Sequence, residues 1–233
     1  MFHKVKYSSL NELIYEEIKD KIINNELKPN DKLDIDYLSS SMGVSRTPVT
    51  NALKALQKDG YVVINPRSGS YVRELTKEEI EYIFDFREVL EGEVVRKVLR
   101  KLDKKQLKLF EEKFEALLNI SFVNNEVQIQ EMVKNFFGVE IHFHEYLINA
   151  CPKIIGGEIM NLIDLTKRIR KLHIIYKLQN MGWECFKEEI KIHAQIIRML
   201  LEEKLEESIQ WMVSDIHNTK DEIIECFDVI NQW

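Results

Sequence analysis

The segment from Leu33 to Val72 limits most strongly what this chain can fold into. Residues 34–43 resemble a short helix that ends in Gly43, and residues 44–56 repeat apolar positions at helical spacing. Residues 60–72 contain the glycines and the proline of a tight hairpin. The segment therefore predicts a helix, a turn, a second helix and a hairpin. Such a pair of helices can place its second helix in the major groove of DNA, with the hairpin as a wing.

The second predicted helix has one apolar face and one polar face. Ser45 is expected as its N-cap, Pro48 is tolerated in its first turn, and Gly60 follows its end. The buried stripe consists of Val49, Ala52, Leu53 and Leu56. The polar face carries short polar or basic side chains that suit phosphates and base edges, namely Arg46, Thr47, Thr50 and Asn51. Arg67 and Gly69 are expected at the tip of the wing, so we predict DNA contacts at these six positions.

These residues resemble the GntR family of bacterial transcription regulators. The matching segments are residues 14–22, 43–49, 52–56, 59–62 and 66–69. The resemblance covers about residues 8 to 75 and implies a winged helix-turn-helix domain that binds double-stranded DNA. Two positions depart from it, because Asp36 and Thr50 stand where the family usually carries arginines that contact DNA. These departures predict a different operator and a different affinity.

The chain is predicted to contain two domains, residues 1–75 and residues 76–233. Thr76 and Glu79 form the capping box of a helix that is expected to extend to about Leu102. Beyond it the sequence shows almost no strand pattern, and breaks near residues 121–125, Pro152 and Gly182 separate further helices. The predicted fold class is mainly α, with an N-terminal winged helix-turn-helix followed by an all-helical bundle of six or seven helices.

The charge of the chain is concentrated outside the predicted DNA-binding domain. The whole chain carries −6, but residues 1–75 hold 11 Lys and Arg against 10 Asp and Glu, whereas the remainder holds 22 against 29. A net charge of +1 is small for a DNA-binding module, so binding should be modest and strongly dependent on salt. A homodimer on a palindromic operator would double the phosphate contacts.

The composition also indicates where the protein acts. No run of 18 or more apolar residues and no signal peptide is found, so we expect a soluble, cytoplasmic protein without a membrane partner. The three cysteines are widely spaced and are expected to be buried, reduced thiols rather than metal or redox residues.

Several polar residues interrupt the apolar stripes of the predicted bundle. Glu140 and His144 are four residues apart in the middle of one stripe, and His193 lies at the centre of another. On the last helix, Asp215 and His217 flank the stripe on opposite edges. A buried carboxylate requires a partner or a metal, so these residues are candidates for a metal site in the bundle core. The alternative is a set of structural histidines that are satisfied by hydrogen bonds.

Residues 76–233 resemble the helical effector domain called FCD, found in the FadR-like branch of GntR regulators. Many members bind a divalent metal through an Asp, a His four residues later and two further His. Here Glu140 replaces the Asp, His144 and His193 match, and the fourth family position is Asp215. His217 is two residues out of register. The resemblance therefore implies a metal site of Glu140, His144, His193 and Asp215. Two His with two carboxylates suit Zn²⁺ first, with Mn²⁺ or Ni²⁺ as alternatives.

Arg87 and Glu91 lie on or beside the inner stripe of the first bundle helix. They can form an internal ion pair, or Arg87 can bind a carboxylate effector through two hydrogen bonds. Members of the family commonly use an Arg at this position to bind the effector, so we expect a small organic acid as ligand.

The sequence thus predicts a dimeric DNA-binding regulator that is controlled by a small carboxylate through the metal and Arg87, and it predicts no enzymatic activity. One alternative is the same regulator with a metal-free pocket for a longer apolar acid. Another is a metalloenzyme, since the same ligands support metal-assisted chemistry.

Overall fold

The computed structural model describes residues 10–233 and divides the chain into two compact units, Met1–Leu75 and Thr76–Trp233. The predicted fold class is confirmed: the protein is mainly helical, with a winged helix-turn-helix followed by a helical domain. In the part of the chain that is described, no helix is both long enough and apolar enough to cross a membrane.

The first unit contains three helices, α1 (Leu10–Ile23), α2 (Ile35–Met42) and α3 (Arg46–Lys58). Helix α2 is capped by Asp34, whose carboxylate accepts a hydrogen bond from the Tyr37 backbone amide. The apolar stripe of α3 is buried as predicted, and it packs against α1. Its four side chains therefore fix which face of α3 remains exposed to solvent.

A small antiparallel sheet completes this unit. Its strands are β1 (Lys32–Leu33), β2 (Val62–Asn65) and β3 (Gly69–Val72), in the order β1-β3-β2. Strands β2 and β3 form the predicted hairpin, with Asn65 opposite Gly69. The sequence did not predict β1, because a strand of two residues has no alternating pattern.

Two turns of this unit depend on glycine. Gly43 adopts a left-handed backbone (φ 66°) and terminates α2, with its amide directed at the Ser39 and Ser40 carbonyls. Gly69 at the wing has φ 115°, a value that side chains strongly disfavour. Both glycines thus set the path of the chain around α3.

The second unit consists of six α-helices and a short 3₁₀ turn at Leu99–Lys101. The helices are α4 (Lys77–Val98), α5 (Lys104–Leu118), α6 (Glu126–Asn149), α7 (Lys153–Asn180), α8 (Trp183–Leu201) and α9 (Leu205–Ile230). The predicted capping box of α4 is present, since Thr76 and Glu79 each accept a hydrogen bond from the other's backbone amide. Helix α4 ends at Val98, four residues before Leu102, near which the sequence predicted its end.

The core of the second unit is aromatic on one side and polar on the other. Helix α4 packs along α9, α5 along α8, and α6 against α7. Phe114, Phe136, Phe143 and Phe186 are fully buried between α5, α6 and α8, and each contributes roughly 1.5–3 kcal/mol to the stability of the fold. The remaining space between α4, α6, α7, α8 and α9 is lined by charged side chains and imidazoles, and this region contains the candidate site.

Candidate functional site

The exposed face of α3 carries most of the predicted DNA contacts. Arg46, Thr47 and Asn51 are exposed at the start of the helix, as expected for a recognition helix. Thr50 is only partly exposed, and its hydroxyl donates a hydrogen bond to the Arg46 carbonyl (2.8 Å) within the helix. Ser45 occupies the N-cap position as predicted, although its side chain makes no capping hydrogen bond.

An ion pair links α2 to the recognition helix. The Nε atom of Arg46 lies 2.9 Å from Oδ1 of Asp36, and the two side chains are 70% and 69% exposed. The Asp36 carboxylate is thus paired with the Arg46 guanidinium, which is predicted to contact DNA. Through this pairing, Asp36 is placed to affect the predicted DNA contact of Arg46, even though it lies on a different helix.

The tip of the wing presents Arg67 to solvent. Arg67 has a left-handed backbone (φ 79°), which is uncommon for residues other than glycine. The turn is closed by a hydrogen bond from the Ser68 amide to the Asn65 carbonyl (3.2 Å), and Gly69 follows directly. The wing therefore combines a basic side chain with a tightly turned backbone that can approach a phosphate closely.

In the helical unit, α6 and α8 bring three predicted metal ligands together. Suitable ligand atoms of Glu140, His144 and His193 lie within 4.8 Å of one another, and all three residues are buried. Oε1 of Glu140 is 3.8 Å from Nε2 of His144 and 4.0 Å from Nε2 of His193. Ligand atoms around a tetrahedral Zn²⁺ are about 3.3 Å apart, so small side-chain shifts would complete the geometry.

The fourth predicted ligand lies on α9 beside this group. Oδ2 of Asp215 is 3.7 Å from Nε2 of His193, and Asp215 is buried. His217 lies elsewhere, because its ring is half exposed and its Nδ1 is 3.0 Å from Oε1 of Glu88. Of the two candidates on α9, Asp215 therefore lies nearer to the cluster than His217, although it is not among the residues whose ligand atoms all lie within 4.8 Å of one another.

Both histidines are held by their Nδ1 atoms. Nδ1 of His144 lies 2.5 Å from Oε2 of Glu91, and Nδ1 of His193 lies 2.9 Å from the Glu189 carbonyl. Since both partners are acceptors, each Nδ1 donates the hydrogen bond, and in the neutral imidazole each Nε2 then presents its lone pair. Nε2 of both rings and Oε2 of Glu140 are buried without a hydrogen-bond partner. Buried polar atoms of this kind require an explanation, and a shared cation supplies one.

Aromatic rings fix the orientation of His193. Its ring stacks on Phe114 with centroids 5.1 Å apart, and the edge of Phe136 approaches it at 5.5 Å. The stacking and the Nδ1 hydrogen bond together leave the imidazole little rotational freedom. A rigid ligand loses less entropy on binding a metal, so this arrangement favours tight coordination.

Arg87 is an internal ion-pair partner in this structure. It is 2% exposed, and its Nε donates to Oε1 of Glu91 (2.8 Å). Burial alone would raise the pKa of Glu91, but the neighbouring Arg87 and His144 outweigh it and lower the pKa to about 2. Glu91 therefore remains ionised and connects Arg87 to His144. The predicted contact between Arg87 and an effector requires this pair to rearrange and stays a prediction.

The sequence interpretation missed Arg170 on α7. Its guanidinium forms an ion pair with Oε1 of Glu140, the carboxylate at the centre of the cluster. Burial lowers the pKa of Arg170 to about 9, and repulsion by the nearby Arg87 acts in the same direction. The spacing of Thr166, Arg170 and His173 on the buried side of α7 could have revealed it.

A second polar cluster lies next to the first. His173, Glu189 and Glu222 could in principle hold a cation. However, Lys177 already supplies one, with its Nζ 2.7 Å from Glu222 and 3.5 Å from Glu189. His173 also pairs with Glu222 (3.1 Å). This group therefore already contains its own cation, and its imidazole is paired with a carboxylate.

Two cavities adjoin these clusters. A small one, bordered by Glu140, Arg170 and His193, has room for about one water molecule or one ion. A larger cleft of about 270 Å³ is bordered by Asp215, Glu189 and further residues of α8 and α9. Its walls carry six carboxylates, from Glu188, Glu189, Asp215, Asp221, Glu222 and Glu225, against one lysine. The charge of the cleft favours the approach of a cation to the buried group.

The first unit has the fold and the exposed polar face of a DNA-binding domain, which defines the protein as a DNA-binding transcription regulator. Residues 10–72 match the family model described as bacterial regulatory proteins, gntR family. The first unit therefore carries the DNA-binding domain of the GntR family.

Two similar proteins come from Bacillus subtilis. The uncharacterized HTH-type transcriptional regulator YdhC is 28% identical over 135 residues, which span 58% of each chain. The HTH-type transcriptional regulator LutR is 26% identical over 177 residues, which cover 67% of this chain and 77% of LutR. Both are named as transcriptional regulators, the class of protein that the sequence predicts.

A solved structure resembles this chain in the fold of both units. The solved structure of McbR/YncC from E. coli has a TM-score of 0.74 at 18% identity, covering 95% of this chain and 100% of that one. This likeness concerns the arrangement of helices and strands alone. The ligand of the helical unit must therefore be inferred from the residues of this chain.

Proposed function

We propose that the protein is a dimeric transcription regulator whose DNA binding responds to a divalent metal and a small carboxylate in the helical unit. The main observation in support of a metal site is the orientation of two buried imidazole rings. Both have Nδ1 bound to an acceptor, and both direct an unpartnered Nε2 toward Glu140. Structural histidines would use both nitrogens, so this pair is better explained as metal ligands.

The proposed ligands are Glu140, His144, His193 and Asp215. They are two imidazoles and two carboxylates, which suit Zn²⁺ first and Mn²⁺ or Ni²⁺ as alternatives. When bound, the ion would supply a Lewis-acidic position for the carboxylate of an effector. Glu91 orients His144 through its Nδ1, and carboxylate partners of this kind strengthen a histidine as a ligand.

Metal analysis of untagged protein tests this site. We expect about one ion per chain in the wild type and a clear loss in His193→Ala, because a three-ligand shell binds more weakly. Asp215→Ala should also lose metal. His217→Ala is the matched control, since it removes an imidazole from the same helix as Asp215 but outside the cluster. Equal metal content in wild type and His193→Ala would refute the site.

The alternative of a metal-free pocket rests on one observation, the ion pair between Arg170 and Glu140. An internal guanidinium can neutralise Glu140 without a metal. It leaves the Nε2 atoms of His144 and His193 without partners, however, and for that reason we favour the metal. Wild-type protein that stays free of metal after incubation with Zn²⁺, Mn²⁺ or Ni²⁺ would establish the alternative.

A surface stripe on α4 supports the homodimer. Tyr82, Phe86 and Val89 are spaced at four and three residues, so they share one face, and they are 59%, 61% and 71% exposed. Exposed apolar side chains in a row commonly mark an interface, and a second copy would bury the same stripe on both subunits. Two recognition helices would then read a palindromic operator.

The oligomeric state can be measured by light scattering after gel filtration. Phe86→Glu should convert the dimer to a monomer, because a charge in the centre of an apolar interface is costly. Leu109→Glu is the control, since Leu109 on α5 is also exposed (48%) but lies away from the stripe. A wild-type monomer, or a Phe86→Glu dimer of unchanged affinity, would contradict this interface.

A further inference from the structure

Arg170 competes with a metal for the same carboxylate. Its guanidinium pairs with Oε1 of Glu140, the oxygen that is 3.8 Å from Nε2 of His144 and 4.0 Å from Nε2 of His193. A cation bound by the two imidazoles would have to share or take over this oxygen. Arg170 would then lose its counter-charge while it remains buried (6% exposed).

Arg170 also has an unused hydrogen-bonding atom. Its NH1 is buried without a hydrogen-bond partner, and the residue borders the small cavity together with Glu140 and His193. The cavity has room for about one water or ion, so an organic acid needs a lining side chain to move. Arg170 is the lining side chain whose partner the metal would remove, and its displacement would enlarge the cavity.

The charges of the cluster change sign when a metal binds. Glu91, Glu140 and Asp215 contribute −3, and Arg87 and Arg170 contribute +2, which leaves −1 with neutral imidazoles. Glu189 also borders the small cavity, but it is paired with Lys177, so the two together add no net charge. A divalent ion changes the total of −1 to +1. Since an uncompensated buried charge is strongly unfavourable, the metal-loaded cluster should attract one monoanion.

We propose that Arg170 couples the metal to the effector: it neutralises Glu140 in the metal-free protein, and when the metal takes Glu140 it binds the carboxylate of the effector. The inference rests on the proposed metal site and deepens it. Arg170 becomes a specificity-determining residue for a monocarboxylate, since its planar fork matches a carboxylate through two hydrogen bonds. Metal and carboxylate then strengthen each other's binding by the same factor.

Calorimetric titration of the full-length protein with Zn²⁺ tests the coupling. The titration is done in sodium chloride and in sodium acetate of equal ionic strength, with acetate as the probe monocarboxylate. In the wild type, acetate should tighten Zn²⁺ binding by about tenfold, within the usual range of coupling between sites. In Arg170→Gln, Zn²⁺ should bind about tenfold more tightly in chloride, because the competing cation is absent. The additional effect of acetate should largely disappear.

Two further variants keep the result interpretable. Arg170→Lys retains the charge but lacks the fork, so its acetate effect should fall between those of wild type and Arg170→Gln. It also decides the question if Arg170→Gln fails to fold, since an acetate effect equal to that of wild type would overturn the proposal. Arg198→Gln, an exposed arginine on α8, is the matched control and should behave like the wild type.

The outcomes separate this inference from the proposed function. Zn²⁺ binding by the wild type, together with unchanged affinity and acetate effect in both Arg170 variants, overturns the role of Arg170 alone. Absence of Zn²⁺ binding by the wild type overturns the metal site and the coupling together. A stronger chloride affinity in Arg170→Gln together with a lost acetate effect supports the proposal.

Discussion

Replacing Asp36 with asparagine should strengthen DNA binding by releasing Arg46. In the free protein the Asp36 carboxylate lies 2.9 Å from Nε of Arg46, and the pair must loosen before the guanidinium can contact DNA. Asp36→Asn keeps the shape of the side chain and removes its charge. The variant therefore isolates the electrostatic effect of this carboxylate on the recognition helix.

The size of the effect follows from the exposure of the pair. Exposed ion pairs are worth about 0.2–1 kcal/mol, and with 70% and 69% exposure this pair belongs to that class. Repulsion between a carboxylate and a phosphate, taken at an assumed separation of about 7 Å, adds roughly 0.6 kcal/mol in water, which salt screening reduces by about half. The sum is roughly 0.5–1.3 kcal/mol, or a two- to tenfold gain in affinity.

Fluorescence anisotropy measures this gain on a duplex that the wild-type protein selects from random sequences. A double-mutant cycle with Arg46→Ala shows its origin. Without Arg46, only the repulsion term remains, so Asp36→Asn should gain less than about twofold. Asp20→Asn, an exposed residue of α1, is the control because it changes the net charge by the same amount.

Two results would refute this reasoning. An equal gain with and without Arg46 would show that the carboxylate acts on DNA directly. A loss of affinity in Asp36→Asn would show that the pair holds Arg46 in its binding position.

Three further predictions concern single residues. Arg46→Ala and Arg67→Ala should each weaken DNA binding in the same assay, by about 1–3 kcal/mol for Arg46 if it reads a base edge, and unchanged affinity would remove either from the interface. Gly69→Ala should destabilise the fold by about 1–3 kcal/mol in urea unfolding, because φ is 115°, and an unchanged midpoint would contradict that strain. Glu91 has a pKa lowered from 4.5 to about 2, so its stabilisation is full above about pH 4.5 and is lost as the pH falls toward 2. Urea unfolding should show that Glu91→Gln removes up to about 3 kcal/mol of this acid dependence, and an identical pH profile would refute the role of the buried pair.

Much of the fold follows from patterns that are local in the chain. Gly43 ends α2 in a left-handed backbone, and Gly182 lies between α7 and α8 with a positive φ, which glycine tolerates better than other residues. Periodicity places Glu140 and His144 on one buried face, since residues four apart in a helix point the same way. Helix α8 begins at Trp183, directly after the predicted break at Gly182.

Features that depend on two distant elements were not predictable in this way. The pairing of Arg170 with Glu140 joins α7 to α6, and the pairing of Asp36 with Arg46 joins α2 to α3. No local pattern encodes such contacts. Strand β1 has two residues and exists because β3 offers it hydrogen bonds. The sequence indicates which side chains are buried, whereas their partners depend on the packing of the helices.

The polar interior of the helical unit costs stability that an apolar core would not. Replacing buried ion pairs with well-packed apolar residues is often neutral or stabilising, so the cluster is poorly explained as a device for folding. Glu91 and Arg87 could satisfy each other, and so could Glu140 and Arg170. The two imidazoles could not, because their Nδ1 atoms are already bound and their Nε2 atoms face the same carboxylate. An arrangement that leaves two lone pairs directed at one point in a buried space is suited to a cation, and the surrounding ion pairs provide the charges that such a cation would rearrange.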